Sequence, residues 1–534
     1  MKKPLLFIAF ISLAASSVFA GGLLTNTNQS VHFLRNPARD ASTEIDAVYT
    51  NPAGLTFLTD GLHLSLTNQS VYQTRTITSN FAPFAAYNDG NATKVFKGEA
   101  AAPIVPSFQM AYKKDNYVIS ASFAVTGGGG KAVFNHGLPS LEAPISMIPL
   151  SLSAKGITTS SYSVNSYMEG QQYIFGAQLN GSYKVSDAFS VALGMRLNIV
   201  NNAYVGHLTD IQVNPLHSSL NPTGGMMSAN TFFTNAGIAA QGASNSLAPI
   251  VAAGYGSMSM SNLVTAGVIT QGQLTQLSTG LGKDVSALSA NDVQAGYNVA
   301  KATYDASANG TADKQLDCTQ TGWGVTPILS VNYRLNGLNL AAKYEFRSAL
   351  NVQNNTKVDD TGLYADGVNT PHDIPAYLAV GGEYEICSHM KVSGGYHHFF
   401  DSDAKMANGK QQYINGGINE FLLGSECKIN DVFLVSAGGQ ITRTGVTDAY
   451  QSDMSYSLNS YSLGFGGAMN ITPDLRLNVA YFFTGYSDWS KTTAASTVSN
   501  GKGGYMGYNG TPLAGTDVYA RTNKVFGIGL DYKF

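Results

Sequence analysis

The chain has 534 residues and a formal net charge of −3 at pH 7, and 12% of its residues are charged. That charged share is about half of the usual value for a globular domain, and the mild acidity gives no reason to expect a nucleic-acid partner. After the N-terminal segment 1–20, no stretch approaches the roughly 18 consecutive apolar residues of a membrane-spanning helix, so helical membrane proteins are excluded.

The composition favours a chain that spreads its apolar surface over every second residue of many strands. Gly, with 57 residues, and Tyr, with 29, are abundant where charged residues are scarce. This combination suits a transmembrane β-barrel, because a barrel needs no continuous apolar run to cross a membrane. A large soluble β-protein has a similar composition and remains the alternative.

Residues 1–20 have the features of a secretory signal peptide. Lys2 and Lys3 precede an apolar run from Leu5 to Leu13, and Val18-Phe19-Ala20 forms a small-x-small cleavage site. The apolar run is short for an uncleaved membrane anchor. The residue directly after Ala20 is Gly21 rather than Cys, so we expect no lipoprotein anchor.

The next segment, residues 21–60, shows little alternation of apolar and polar residues. Its centre reads Asn51-Pro52-Ala53-Gly54-Leu55, and Asn28-Gln29-Ser30 and Asn36-Pro37-Ala38 precede it. In this position, after a signal peptide and before a barrel, the motif resembles the N-terminal hatch of the FadL/TodX family. The alternative is a plain turn fixed by proline.

Members of the FadL/TodX family are outer-membrane transporters of long-chain fatty acids and other hydrophobic compounds. The resemblance implies a signal peptide at 1–20, a hatch at 21–60 that plugs the lumen, and a barrel at 61–534. The hatch motif would be Asn51, Pro52, Ala53, Gly54 and Leu55.

Strands with a two-residue period follow from Leu62 to the end of the chain. In the last one, Phe526, Ile528, Leu530, Tyr532 and Phe534 share one face, and the other face is polar or small. We count fourteen such segments, an even number as a bacterial barrel requires. They begin near residues 62, 108, 117, 173, 191, 325, 338, 375, 390, 416, 432, 453, 475 and 521.

The connections between these segments alternate between short turns and long loops. Asn336-Gly337 and Pro473-Asp474 are tight-turn sequences. Short periplasmic turns and long outer loops are typical of a transmembrane barrel, and a soluble sandwich has no reason to keep this rhythm. The long segments are 79–102, 128–170, 206–321, 353–373, 401–415, 446–452 and 487–519.

The largest insertion, 206–321, contains a helical stripe. Its leucines and valine at 274, 277, 281, 285 and 288 are spaced by three and four residues, and Gly280 and Gly282 are expected to interrupt the helix. In relatives, helical outer loops form a groove that collects substrate. The resemblance and the adaptable side chains of Met and Phe therefore predict a ligand groove of Met226, Met227, Phe232, Phe233, Leu274 and Leu277. The alternative is that the stripe only packs the loop onto the barrel rim.

The third strand leads into Gly127-Gly128-Gly129-Gly130. Glycines inside a strand mark a bulge or a kink. The resemblance implies an inward kink here that opens the wall laterally and releases substrate into the membrane. The alternative is that the glycines lie above the membrane and only begin a flexible loop.

Several charges have the parity of the lumen. A long-chain acid needs a cationic partner for its carboxylate once water is removed, and Arg196, Lys343 and Arg347 are the candidate headgroup partners. The alternative is that these charges pair with one another and with the hatch.

The remaining candidates for chemistry are weak. Cys318, Cys387 and Cys427 match no metal or redox motif, and a disulfide between Cys387 and Cys427 competes with the simpler interpretation of unrelated thiols. There is no Gly-x-Ser-x-Gly and no His-Glu-x-x-His motif, and His397-His398 faces both sides of one strand. We therefore expect no enzyme, no cofactor and no metal.

The sequence thus predicts an all-β membrane protein, a fourteen-stranded antiparallel barrel with an N-terminal hatch in its lumen and a partly helical outer loop. The expected function is passive uptake of hydrophobic compounds, long-chain fatty acids above all, across the bacterial outer membrane, with both chain termini in the periplasm. The expected partners are the hydrophobic substrate, outer-membrane lipid and lipopolysaccharide, and the barrel-assembly machinery, which would recognise Phe534. The protein is expected to be a monomer. The alternative function is a general porin or an adhesin-type surface barrel.

Overall fold

The structure, a computed structural model, describes residues 23–501 and 503–534. The predicted signal peptide lies outside the described residues. One antiparallel sheet closes on itself as fourteen strands, because the first strand pairs both with the second and with the last. The fold class and the strand number predicted from the sequence are confirmed.

The strands are numbered β1–β14 around the barrel, and three of them consist of two segments. They are β1 Gly61–Asn80, β2 Thr93–Lys114, β3 Tyr117–Phe134, β4 Tyr162–Lys184, β5 Phe189–Val213, β6 Lys314–Leu335, β7 Leu338–Glu345 with Asn351–Asp359, β8 Asn369–Pro371 with Tyr377–Cys387, β9 Met390–Phe399, β10 Ile418–Lys428, β11 Phe433–Arg443, β12 Ser460–Asn470, β13 Leu475–Tyr486 with Trp489–Thr493, and β14 Gly515–Lys533. A two-residue strand, Met227–Ser228, pairs with the end of β5 outside this set.

The α-helices lie in the N-terminal segment and in two loops. They are α1 Val31–Arg35, α2 Ala47–Thr50, α3 Pro139–Ser153, α4 Ala229–Ile250, α5 Met260–Thr265, α6 Gln271–Leu281 and α7 Ala290–Thr311. A π-helical turn, Val251–Tyr255, follows α4. Short 3-10 helices are Pro52–Phe57, Ala82–Ala86, Asp401–Asp403, Ala407–Tyr413 and Tyr508–Gly510.

The apolar rows of the strands face outward. On β1, Ser65 and Thr67 are buried whereas Leu66 between them is 59% exposed. On β14, Asn523 is buried whereas Ile528 is 52% exposed. Exposed apolar and buried polar side chains are the arrangement expected when hydrocarbon surrounds the barrel. No helix among the described residues is long and apolar enough to cross a membrane.

The strands extend further toward the long loops than the sequence predicts. β4 begins at Tyr162 rather than near residue 173, β5 continues to Val213, and β6 begins at Lys314. The insertion between β5 and β6 therefore runs from 214 to 313 rather than from 206 to 321. Apolar alternation marks only the part of a strand that faces hydrocarbon, so the sequence pattern ends where the outward residues become polar.

The N-terminal segment from Leu23 to Asp60 lies inside the barrel. From Leu23 to Ala41 every residue is buried, and the segment contacts the lumen faces of most strands. Small residues on the wall make room for it, since a Cβ on Gly464 or Gly438 would collide with Leu34 or Pro37. The lumen is therefore filled at the height of the apolar outer face.

The three cysteines are free thiols. Cys387 on β8 and Cys427 on β10 are both paired with Met390 on the strand between them. Two interstrand spacings separate their Cα atoms by roughly 9–10 Å, beyond the distance of about 7 Å that a disulfide spans. The disulfide considered from the sequence is therefore not formed.

Candidate functional site

Buried ion pairs hold the first half of the N-terminal segment against the wall. Arg35 donates to Glu426 and to Ser436. Arg39 binds Asp46 through two hydrogen bonds of 2.8 Å. Burial alone would lower the pKa of Arg39, but the carboxylates of Asp46 and Glu426 raise it well above its usual value. These charges are paired, as buried charges must be.

Two histidines connect the same segment to the wall. His32 lies 3.0 Å from Asp531 of β14. His397 of β9 lies between two carboxylates, 2.8 Å from Asp40 and 2.9 Å from Glu420. Burial lowers the pKa of His32, but the charge of Asp531, its hydrogen bond and the charge of Asp46 together raise the pKa above 6.5. Contacts between the segment and the wall therefore include groups that titrate.

The predicted hatch motif forms hydrogen bonds with three neighbouring strands. Asn51 donates to Asn332 of β6 at 2.6 Å. The carbonyl of Pro52 accepts a 2.7 Å bond from Ser182 of β4, and the carbonyl of Ala53 accepts a 2.8 Å bond from Ser190 of β5. A side chain at Gly54 would collide with the carbonyl of Ser42, and Leu55 is fully buried. The motif thus anchors the second half of the segment.

Two of the three predicted headgroup partners meet around one carboxylate. Arg196 binds Glu345 through hydrogen bonds of 2.8 and 2.7 Å, and Lys343 binds the same carboxylate at 2.8 Å. The ring of Tyr49 lies between the two cations, and Lys343 also donates to its carbonyl at 2.8 Å. Arg347 lies apart, partly exposed and 3.5 Å from Asp373. Arg196 and Lys343 are thus engaged by the wall and the N-terminal segment.

A small cavity adjoins this group. It lies between the N-terminal segment and the wall, next to Tyr49, Lys343, Tyr377 and His397. Aromatic rings and cations share its lining, so it suits a small polar or aromatic group.

The wall of the barrel is broken between β2 and β3. The two strands pair from Phe108 and Phe123 toward the short-turn end, and again only at Gly98 and Glu99. Between these points the residues 100–107 and 124–132 form no ladder with each other. On β4, the pairing with β3 shifts on both sides of Gly127. The glycine run therefore lies inside β3, where the pairing with β4 is irregular, rather than at the start of a loop.

The N-terminal segment occupies the inner side of this break. The Asn26 N–H donates to the Thr126 carbonyl at 2.9 Å, and the Gly128 N–H donates to the Leu24 carbonyl at 3.0 Å. The Gln29 side chain donates to the Val125 carbonyl at 3.1 Å. A side chain at Gly127 would collide with the Leu24 carbonyl. Residues 24–29 thus supply hydrogen bonds that β2 does not. We name these residues the latch.

The break adjoins the apolar outer face of the wall. Along the ladders, Val125 is paired with Phe175 on β4, Phe175 with Ile199 on β5, and Ile199 with Trp323 on β6. Ile199 and Trp323 are exposed on the outer surface, and Trp323 is the last aromatic residue before the polar part of β6. A narrow cavity at the break is lined by Asn26, Gln29, Gln69, Val105, Pro106 and Ala124.

An apolar cluster fills the mouth of the barrel above the N-terminal segment. We name it the mouth cluster, and its members include Phe81, Phe84, Phe96, Phe134, Ile145, Met147, Ile148, Phe232, Tyr456, Tyr508 and Tyr519. α3 contributes its centre, and the sequence analysis missed this helix. Its apolar residues show no single stripe because it is buried on most sides, and Pro144 and Pro149 lie inside it, which argues against a helix in a sequence.

The predicted groove residues fall into two clusters. Phe232 and Phe233 at the start of α4 belong to the mouth cluster. Leu274 and Leu277 of α6 pack into a separate core formed by the insertion itself. Met226 is exposed and Met227 packs beside the mouth cluster. The structure therefore brings only the Met227 and Phe232–Phe233 part of the predicted groove to the barrel mouth.

Comparisons with known proteins place this architecture among solved structures. No protein-family model matches the chain, and no curated protein matches it. The chain is similar to the toluene transporter TodX of P. putida, with 13% identity, 99% of each chain covered and a TM-score of 0.49. It is also similar to the toluene transporter TbuX of Ralstonia pickettii, with 11% identity, 95% of this chain and 99% of that chain covered, and a TM-score of 0.47.

A third similar structure is the CymD monoaromatic hydrocarbon channel, with 11% identity, 94% of this chain and 98% of that chain covered, and a TM-score of 0.44. TodX, whose name the family resemblance stated from the N-terminal motif includes, is among the solved structures similar to this chain. Within the described residues, no group of three His, Cys, Asp or Glu side chains is arranged to hold a metal ion.

Proposed function

We propose that the protein is a channel for passive uptake of hydrophobic small molecules across the bacterial outer membrane, with both termini on the periplasmic side. Substrate enters at the mouth cluster, passes beside the N-terminal segment, and leaves sideways through the break between β2 and β3. The N-terminal segment acts as the hatch, and fatty acids are the substrates we expect first. The observation that carries the proposal is the break, closed from the inside by the latch.

An apolar route connects the mouth to the break. Below the mouth cluster, Val71, Phe482 and Val525 of the wall pack with Val31, Phe33 and Leu34 of the hatch. We name this group the inner cluster. Ala102 and Val105 of β2 pack against it, and Val105 also lines the cavity at the break. Apolar side chains therefore continue from the inner cluster to the edge of the opening.

The driving force needs no cofactor or energy source. Each methylene group that leaves water for an apolar environment contributes about 0.8 kcal/mol. An alkyl chain or an aromatic ring that moves from the inner cluster into the bilayer stays in an apolar environment. The free energy gained by leaving water is therefore kept. Transport then follows the concentration gradient, and the hatch prevents polar solutes from crossing.

The latch provides a direct test. The Asn26 N–H donates to the Thr126 carbonyl next to the antiparallel bridge between Thr25 and Gly127, and opposite residues of such a pairing have Cα atoms about 4.5–5.5 Å apart, within disulfide range. We therefore design Asn26→Cys with Thr126→Cys in a background in which Cys318, Cys387 and Cys427 are replaced by Ala. Uptake of radiolabelled dodecanoate and toluene by cells would be measured before and after reduction.

If the latch must leave β3 for substrate to pass, the oxidised variant takes up neither compound, and dithiothreitol restores uptake. The matched control joins Ser348 and Ile374, another bridged pair between β7 and β8, and should transport in both states. Equal uptake by the oxidised and reduced latch variant would contradict lateral exit. Leakage of small sugars through the unmodified protein would favour a general porin instead.

A further inference from the structure

The wall has a second interruption, between β6 and β7. The ladder between these strands ends at Ile328 and Glu345 and resumes only at Thr321 and Gln353. The residues between these points form no ladder with each other. We name this part of the wall the second break, and it consists of residues 322–327 of β6 and 346–352 of β7.

At the second break, β7 turns inward and passes behind β6. Gly322 and Gly324 alternate with the exposed Trp323, so they face the lumen. A Cβ on Gly322 would collide with the Asn351 carbonyl, and a Cβ on Gly324 would lie 2.5 Å from the hydroxyl oxygen of Ser348. The two strands therefore overlap here instead of pairing edge to edge.

The backbone bonds of β7 in this region go to β8 rather than to β6. Ser348 and Ile374 exchange two backbone hydrogen bonds of 3.0 Å. Among the described residues, one backbone hydrogen bond joins 323–327 to 346–350, from the Phe346 N–H to the Pro327 carbonyl at 3.0 Å. The second break is thus bounded by β6 on one side and by the joined β7 and β8 on the other.

The second break lies within the apolar outer face of the barrel. On the ladder with β5, Trp323 is paired with Ile199 and Pro327 with Met195. Trp323 is 69% exposed, and Ile199 and Met195 are exposed as well. Hydrocarbon offers no partner to the backbone groups of an open strand edge, so a gap at this height is costly unless it serves a purpose.

An aliphatic cluster lies behind the second break. We name it the side cluster, and its members are Leu24, Ile174, Val200, Leu350, Val352 and Ile374. Leu350 and Val352 belong to the second break itself. Ile174 adjoins the first break, since a side chain at Gly127 would approach it. Apolar side chains therefore connect the inner sides of the two breaks.

The latch contacts both breaks through one residue. The Leu24 carbonyl accepts a 3.0 Å hydrogen bond from the Gly128 N–H at the break between β2 and β3, whereas the Leu24 side chain packs in the side cluster. Movement of the latch away from β3 therefore also withdraws a side chain from behind the second break.

The two breaks differ in the polarity of their inner linings. The amide side chains of Asn26, Gln29 and Gln69 line the cavity at the break between β2 and β3. The side cluster has no hydrogen-bonding side chain, and burial of a carboxylate or hydroxyl group without a partner is unfavourable. Arg347, the charged residue of the second break, donates to the Asp403 carbonyl at 2.9 Å and lies 3.5 Å from Asp373. The second break therefore suits molecules without a polar end.

We propose that the second break is a further lateral exit, selective for neutral hydrocarbons, and that it opens when Leu24 leaves the side cluster with the latch. This inference rests on the proposed uptake of hydrophobic compounds. A neutral molecule leaves the side cluster between Trp323 and Phe346 and enters the bilayer. The bridge between β7 and β8 is kept, so the rest of the wall stays closed.

A disulfide across the second break tests this exit. Because a Cβ on Gly324 would lie 2.5 Å from the Ser348 hydroxyl, Gly324→Cys with Ser348→Cys brings two thiols within disulfide range. The control, Val331→Cys with Ala342→Cys, joins direct partners in the intact ladder of the same two strands. Both pairs are made in the background without the native cysteines. Heat-dependent migration on gels checks that each barrel is folded.

Uptake of radiolabelled toluene and dodecanoate by cells would be measured before and after reduction by dithiothreitol. We expect the oxidised second-break variant to take up toluene about threefold more slowly than the reduced variant, and dodecanoate at the same rate in both states. The slowing is partial because the break between β2 and β3 remains available to toluene. The control should take up both compounds equally in both states.

Equal toluene uptake by the oxidised and reduced second-break variant would overturn the inference. An equal fall in toluene and dodecanoate uptake would also overturn it, because the second break would then not select neutral molecules. Either result leaves the proposed function in place if the unmodified protein takes up both compounds. Failure of the unmodified protein to take up either compound would refute the proposed function instead.

Discussion

Glu345 illustrates how single buried charges join the hatch to the wall. Its carboxylate accepts hydrogen bonds from Arg196 and Lys343, and both cations contact Tyr49 of the hatch. All three charges are almost completely buried. Removing one member of such a group leaves the others uncompensated, which costs far more than the net contribution of the intact group.

We therefore expect Glu345→Gln to lower the free energy of unfolding by roughly 3–5 kcal/mol, measured by urea titration of the protein in lipid vesicles. Glu385→Gln on the neighbouring strand β8 is the matched control. Its partner Arg334 lies 3.0 Å away, but both side chains are well exposed, and such pairs contribute about 0–1 kcal/mol. Equal effects of the two substitutions would show that Glu345 does not hold its neighbours.

His32 gives the hatch a contact that depends on pH. Although burial lowers the pKa of His32, Asp531 and Asp46 together raise it above 6.5, so the folded state favours the imidazolium form. This contribution is complete below the ordinary pKa and is lost as pH rises through the raised pKa. Amide hydrogens of α1, corrected for intrinsic rates, should exchange faster at about pH 9 than at about pH 6.

The variant His32→Gln should remove this difference in α1. Asp531, Asp46 and Arg35 also act on His32, so His397→Gln, which leaves all of them in place, serves as the control and should keep the pH dependence of α1. If the exchange rates of α1 in His32→Gln still differed between the two pH values, the pH dependence would come from another titratable group.

Residue parity places Arg196 and Lys343 in the lumen correctly, whereas Arg347, predicted with them, lies apart and is exposed. Arg196 and Lys343 were assigned to the lumen because their strands alternate clearly on the outer face. Arg75 of β1, which is also buried, was missed because the outward residues beyond Leu66 include Asn68, Ser70 and Thr74, so the pattern gave no reason to extend β1. The partners of these charges come from distant strands, and no local spacing indicates them.

At the scale of elements, the break in the wall depends on glycine. Gly127 allows the latch to approach β3, since a side chain there would collide with the Leu24 carbonyl and approach Ile174. The glycine run itself was visible in the sequence, whereas its position inside β3 was not. The polar part of β3 beyond Thr126 has no apolar alternation that would distinguish strand from loop.

Gly127→Val should therefore displace the latch while the barrel remains closed elsewhere. We expect proteolysis of the N-terminal segment in intact outer membranes to accelerate, and small sugars to leak through the break. Gly181→Val on β4 is the control, because a Cβ at that position meets nothing within 4 Å. If Gly127→Val leaked no more sugar and was cleaved no faster than Gly181→Val, the latch would tolerate a side chain at this position.

The insertion between β5 and β6 is an element with a core of its own. Leu247, Met260, Leu263, Val293 and Tyr297 form this core separately from the mouth cluster. Of the two glycines expected to interrupt the helical stripe, Gly282, with a φ of 60°, ends α6 as predicted, whereas Gly280 lies inside the helix. Val285 and Leu288 then reach the same core from the following turn.

Replacing residues 260–289 by a short Gly-Ser linker should consequently leave the barrel folded, since the removed residues contact chiefly their own core. Heat-dependent migration and dodecanoate uptake should stay near those of the unmodified protein. Loss of uptake with a folded barrel would show instead that the insertion collects substrate, as the predicted role of Leu274 and Leu277 requires.

At the scale of the whole molecule, the barrel and the hatch depend on each other unequally. Neighbouring strands of the wall are joined by their own ladders, and at the break between β2 and β3 the hatch supplies hydrogen bonds in their place. The hatch has only short helices, and isolated helices of this length are not stable in water. The wall therefore provides the framework on which the hatch folds.

Deleting residues 23–58 should give a folded barrel with an open bore. The wall charges that face the hatch, such as Glu345, Glu426 and Asp531, would then be hydrated by water in the lumen, so their loss of partners costs less than in a dry interior. Small sugars and ions should cross vesicles that contain this variant, and selective uptake of dodecanoate should disappear because the inner cluster loses Val31, Phe33 and Leu34.

Conductance in planar bilayers measures the open bore, and uptake in cells measures the selectivity. Undiminished hydrophobic uptake without any polar leak would mean that the N-terminal segment is not the hatch, whereas polar leak with lost selectivity is the result that a plugged, laterally opening barrel requires.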